Sequence, residues 1–251
     1  MRSLALLLPR LVLDRAPRAI IATAIVLALT EPLLVRRASE ATAGFRDGLS
    51  VGVASGASPV IPILALLFAI AAAWLAEGVV SELKRDGSGP LALTRPVSRS
   101  GYFLARWLSG FVCMAAAAQV VLLVLNASAN LSDIPVTGLS PVGAVGAVAV
   151  SWLWVGSVVL VFSSLLQRGE AFAGAFLLVM PITLVSVLPP GGVTARIASL
   201  LPSKTVLDVS RAFLAGEPVM GGHLLRIVVW GSASLALGLL LAVRREWTTS
   251  G

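Results

Sequence analysis

Thiols, imidazoles and lysines are almost missing from this chain, which has one Cys, one His and two Lys in 251 residues. Cys113 has no second thiol to meet, so a disulfide within the chain is excluded. The single imidazole, His223, falls short of the three or more ligands a metal site wants, and Glu77 and Glu170 do not stand at ligand spacing with it. A serine nucleophile using His223 as base needs an activated serine, yet Ser50 in GLSV and Ser140 in GLSP sit in loops without distinguishing context. With so few titratable side chains, general acid–base chemistry is set aside and the chain is read as not an enzyme. The phosphate-cradling loop of an ATPase ends Gly-Lys-Ser/Thr, whereas Lys84 is followed by Arg85 and Lys204 is preceded by Ser203. Neither is a Walker lysine, so ATP hydrolysis, where used, belongs to another polypeptide.

Charge is also scarce, at 12% of residues against 57% hydrophobic, with a mean hydropathy of +0.95. That leaves too little polar surface to cover a soluble globule and places the chain in a bilayer. Crossing about 30 Å of hydrocarbon takes about 20 apolar residues in a helix. Six such stretches are marked by their polar interruptions: 19–35, 59–80, 103–125, 142–166, 171–190 and 224–243. A membrane β-barrel shows alternating segments of about 10 residues. Runs such as VVLLVLNA and LALGLLLAV are instead apolar on every side. The expected fold is all-α: one polytopic domain over 1–251 with six transmembrane helices, preceded by an interfacial helix within 1–18. Ser3, Arg10 and Asp14 fall near one face of that segment with leucines elsewhere, as suits a helix in the membrane interface. Its apolar run LALLL is broken by Pro9 and Arg10, so residues 2–15 read as mature protein, not as a targeting peptide.

Lys and Arg near span ends are retained on the cytoplasmic side. With both termini cytoplasmic, twelve basic residues lie inside and seven outside, and the loop 126–141, with Asp133 and no basic residue, is the clearest outside marker. The net charge of +7 and a pI near 11.2 raise the question of nucleic acid, but the basic residues flank spans and lack aromatic interleaving. No nucleic-acid partner is expected.

Five basic residues, Lys84, Arg85, Arg95, Arg99 and Arg106, crowd into SELKRDGSGPLALTRPVSRSGYFLAR at 81–106, between the second and third spans. A simple turn needs only a few polar residues. This connection has a charged helical start (Ser81 to Arg85), a break at Gly87, Gly89 and Pro90, a short apolar piece and a second Pro-marked turn before Tyr102. Its guanidinium groups suit carboxylates of a partner protein or lipid phosphates alike.

The order of these residues resembles the integral membrane subunits of ATP-binding-cassette (ABC) transporters, in particular the type-2 permeases common among exporters. There an acidic residue ends the second span, a Gly-led segment and a Pro-small-Ser-Arg element follow, and a basic residue opens the third span. Glu82, Asp86-Gly87, then Pro96, Ser98 and Arg99, and finally Arg106 occupy those places here. LLPSKTVLDVSRAFLAGEP at 200–218 is similar to the Pro-led amphipathic segment before the family's last span. Two departures are Arg106, where Lys is commoner, and GSGP, where a Thr-Leu pair is usual. The resemblance covers nearly the whole chain and implies a coupling loop at 81–102 that meets a separate ATPase subunit through Glu82, Lys84, Arg85, Asp86, Gly87, Arg95, Pro96 and Arg99. It further implies ATP and Mg on that partner with no cofactor on this chain, and a homodimer or a heterodimer with a related permease. The location implied is the plasma (inner) membrane. The reading from another class is a non-transporting membrane scaffold that uses the same loop to hold a cytosolic protein.

Several polar residues fall inside the spans. Glu77 is read either as pairing with Arg106 or as solvated near the cytoplasmic end of its span. Gln119, Asn126, Ser151 and Ser157 are candidates for a translocation path, weighed against service as hydrogen-bond glue between helices. Glu31 beside Pro32 marks a kink, and Trp74, Trp107, Trp230 and Trp247 read as interface anchors. Segment 191–222 carries helical periodicity in two pieces, Val193 to Leu200 and Val206 to Phe213, the second stopped by Gly216 and with Asp208 and Arg211 spaced to pair. Those pieces are expected either to dip into the outer leaflet or to lie on the outer surface.

Overall fold

The computed structural model describes residues 60–85, 98–131, 140–166 and 202–244. In chain order these form α1 (Val60–Arg85), α2 (Arg99–Leu131), α3 (Pro141–Ser151), a π-helical segment (Trp152–Gly156), α4 (Ser157–Leu165), α5 (Ser203–Ala215) and α6 (Gly221–Arg244). No strand occurs among the described residues, in keeping with the all-α expectation.

Local chemistry fixes the helix ends. Ser98 opens α2 by accepting the Gly101 amide on its Oγ at 3.2 Å, while its carbonyl accepts from Tyr102 at 3.0 Å. Ser140 does the same for α3, taking the Gly143 amide at 3.2 Å with Pro141 already set to a helical φ. At the far end of α5 the chain turns through Gly216 at φ 69°, a left-handed conformation that suits glycine. The Glu217 amide then donates to Ala212 and that of Gly216 to Phe213, closing a Schellman motif. The stop at Gly216 and the Asp208–Arg211 pair, 3.9 Å apart, match the sequence expectation.

Among the described residues, three helices are long and apolar enough to cross a membrane: Arg99–Ala127, Pro141–Leu165 and Gly221–Arg244. They coincide with the expected third, fourth and sixth spans. The second expected span falls on α1, whose apolar stretch is the shorter Leu64–Val80. The expected spans at 19–35 and 171–190, the interfacial helix within 1–18 and the first piece of 191–222 lie outside the described residues. The loop expected at 126–141 begins later than its polar residues suggest, because α2 runs on through Asn126 to Leu131. At 33 residues α2 is about 50 Å long, more than the hydrocarbon thickness.

Small residues let these helices approach closely, as membrane helices must when lipid is as apolar as the side chains. Ala65, Ala72, Ala76, Ala144 and Ala147 are fully buried at the packing surfaces. A Cβ on Gly231 would come within 2.7 Å of Leu153, and one on Gly238 within 3.0 Å of Leu160, so α6 lies against the π-helical segment and α4 through two notches a heptad apart. A Cβ on Gly143 would collide with the Phe213 carbonyl, which brings α5 onto the start of α3. Val206, Val209 and Leu214 bury the apolar face of α5, which packs against α3 and α1. That helix therefore joins the bundle through its apolar face. α6 has only Ile227, Gly231, Gly238 and Ala242 buried, and leaves Leu225, Val228, Val229, Trp230, Leu237 and Leu240 exposed, as suits a helix facing lipid.

Candidate functional site

The polar groups buried between α1 and α2 lie next to the segment that the sequence singles out. Arg106 is 7% exposed and Glu77 4%, the latter about two turns before the end of α1 at Arg85. Arg106 donates from Nη2 to the carbonyl of Gly78 at 3.2 Å and from Nη1 to the Tyr102 hydroxyl at 3.4 Å. The burial of Glu77 overturns the solvated reading of that residue. An ionic side chain held in a bundle is costly and is retained where its hydrogen bonds are supplied, which here ties α1 to the first turns of α2. Tyr102 stands four residues before Arg106, a helical neighbour spacing already visible in the sequence, whereas Gly78 is 28 residues away and carried no signal.

Below this junction the helices meet through tryptophan. Trp107 is 6% exposed and Trp152 1%, with ring centroids 5.6 Å apart and planes tilted by 48°. The interface-anchor reading of Trp107 is thereby corrected: its ring is spent on another helix and not on the membrane surface. Trp74 and Trp230 are exposed, as anchors are, and Trp247 lies outside the described residues. The Trp152 ring occupies the notch of Gly110, where a Cβ would stand 2.5 Å from it. Trp152 also begins the π-helical segment, an arrangement that frequently sits at functional sites. Among the described residues the Nε1 groups of Trp107 and Trp152 and the Ser157 hydroxyl are buried without a hydrogen-bond partner. Leaving such a group unpaired costs about 1–3 kcal/mol.

Of the residues expected to meet an ATPase, Glu82, Lys84 and Arg85 lie on the last turn of α1, as the charged helical start anticipated. Arg99 is the first residue of α2 and is exposed. Asp86, Gly87, Arg95 and Pro96 lie outside the described residues. Ser98, inside the Pro-small-Ser-Arg element, has a structural duty as the cap of α2.

The four candidate path residues are not brought together. Ser151 shares a hydrogen bond with Ser210 at 3.3 Å, and Ser210 reaches the Ala147 carbonyl at 3.4 Å, so this pair joins α3 to α5 as glue. Ser157 is buried at the head of α4 and Asn126 is half-buried on α2. Gln119 alone lines an open cleft of about 700 Å³ between α2, α3 and α5, where its Nε2 donates to the Pro141 carbonyl at 2.9 Å. Phe213, Gly216 and Glu217 form the opposite wall. Sequence reading missed Glu217 there because nothing local places it beside α3. No group of three or more metal-ligating side chains occurs among the described residues.

Models of known protein families give no match to this chain, and no curated protein matches it either.

Proposed function

We propose that this chain is the membrane-spanning permease subunit of an ABC transporter, exporter-like, working as a dimer and energised by a separate ATPase subunit that carries ATP and Mg. The observation that carries the reading is the Arg106–Gly78 bond, set directly behind the 81–106 connection. A partner pushing on that connection meets helix at both ends: the charged last turn of α1 and the capped first turn of α2. Because Arg106 pins these helices together, a displacement of the loop moves them as one body. Trp107 then passes it to Trp152 and the π-helical segment. The polar residues at the loop, Glu82, Lys84, Arg85 and Arg99 among them, supply the contact, and the apolar spans supply the path.

The test is association followed by transport. Arg99→Glu replaces attraction by repulsion at a charged contact, a change worth a few kcal/mol where the contact is partly desolvated. It is expected to weaken recovery of the ATPase with the detergent-solubilised permease. Unchanged co-purification returns Arg99 to the role of a topology marker. A complex that forms normally yet moves no solute across vesicles over a broad panel favours the scaffold reading instead.

A further inference from the structure

The cleft between α2, α3 and α5 lies about 20 residues along α2 from the loop-facing end, away from the Arg106 junction, and has its own chemistry. Its walls are largely apolar, with Val142, Val145 and the Phe213 ring among them, and its volume of about 700 Å³ lies in the range of a small-molecule site. Among the described residues, Glu217 is the one charged side chain that lines it. Glu217 brings a carboxylate that forms no ion pair among the described residues, and none of the lining residues is Lys, Arg or His. Gln119 donates one Nε2 hydrogen to Pro141 and keeps its second N–H and its Oε1, so it adds no net charge to the cleft. On α5, Asp208 pairs with Arg211 within the helix.

Glu217 is also in the wrong place for helix stability. It follows the C-terminus of α5, where the backbone dipole is negative and a cation is the favourable neighbour. A carboxylate there deepens a negative potential, and its first backbone bond, amide to Ala212, is satisfied without the side chain. At the start of α3 the Gly143 and Ala144 amides are taken by Ser140. The arrangement is a largely apolar cleft whose one charged lining side chain among the described residues is a carboxylate.

From this we infer that the cleft binds an amphipathic organic monocation, its apolar body against Val142, Val145 and Phe213 and its charge beside Glu217. The site needs no ATPase, so its occupancy is measured on this chain alone and stands or falls separately from the transport reading.

The probe is tetraphenylphosphonium, with tetraphenylborate as an anion of the same shape and size. Equilibrium dialysis against the full chain in lipid nanodiscs, corrected with protein-free nanodiscs, is expected to show saturable binding of the cation and none of the anion. Glu217→Gln removes the charge at an exposed position and is expected to weaken cation binding about tenfold. Val145→Trp fills the cleft and is expected to abolish it; should that variant fail to insert, Glu217→Gln alone decides. Absence of saturable cation binding, equal affinity for the anion, or unchanged affinity in Glu217→Gln each overturns the inference.

Discussion

Arg106 and Gly78, 28 residues apart, are joined by a guanidinium–carbonyl hydrogen bond of 3.2 Å that ties α1 to α2 inside the bundle. The same guanidinium reaches Tyr102, so two bonds to a charged donor are at stake. Arg106→Ala is expected to cost about 2–4 kcal/mol, read as a lowered thermal midpoint in detergent. Arg106→Lys is expected to recover only part of the loss, since a single ammonium lacks the planar fork that serves two acceptors at once. A midpoint within a degree of wild type for the alanine variant would remove the junction from the mechanism.

Gly110 is the notch that admits Trp152. Gly110→Val is expected to destabilise by about 1–3 kcal/mol through overpacking. Pairing it with Trp152→Leu, which clears the ring, is expected to give less than the sum of the two single losses, so the double-mutant cycle shows coupling. Additive losses mean that the two residues do not meet.

Topology is checked by single cysteines. Cys113 is buried in α2, so in the folded protein it should stay silent towards polar maleimides until denaturation. Ser88→Cys and Ser132→Cys, on the two connections flanking α2, are expected to label from opposite sides of the membrane, with Ser132 outside. Labelling from the same side contradicts the orientation read from the distribution of Arg and Lys.

Coupling between loop and spans is tested at Gly87 and Gly89, which lie outside the described residues and are read from sequence as a hinge. Replacing both by Pro is expected to leave assembly with the ATPase largely intact, because Arg95 and Arg99 keep their charges. Substrate-stimulated ATP turnover in reconstituted vesicles should fall, since coupling is a free energy shared between the two sites. Stimulation that survives the double substitution shows that the motion does not pass through this hinge.

What the sequence determined by itself was local. Apolar runs of sufficient length predicted the helices at 103–125, 142–166 and 224–243 because membrane crossing depends on length and hydropathy alone. The stop of α5 at Gly216 and the Asp208–Arg211 pair were legible because each involves residues within one or two helical turns. The tertiary structure decided the rest. An apolar residue on a membrane helix is equally at home against lipid or protein, so periodicity gave no sign that Trp107 faces Trp152 while Trp230 faces outward. Ser151 finds Ser210 from 59 positions away, and Glu217 reaches the cleft beside α3 only because glycines at 143 and 146 let α5 come so close. Whether a polar side chain ends as glue, junction or binding wall depends on which helix arrives opposite it, and in a chain this uniformly apolar that choice is made by packing between small residues far apart in the sequence.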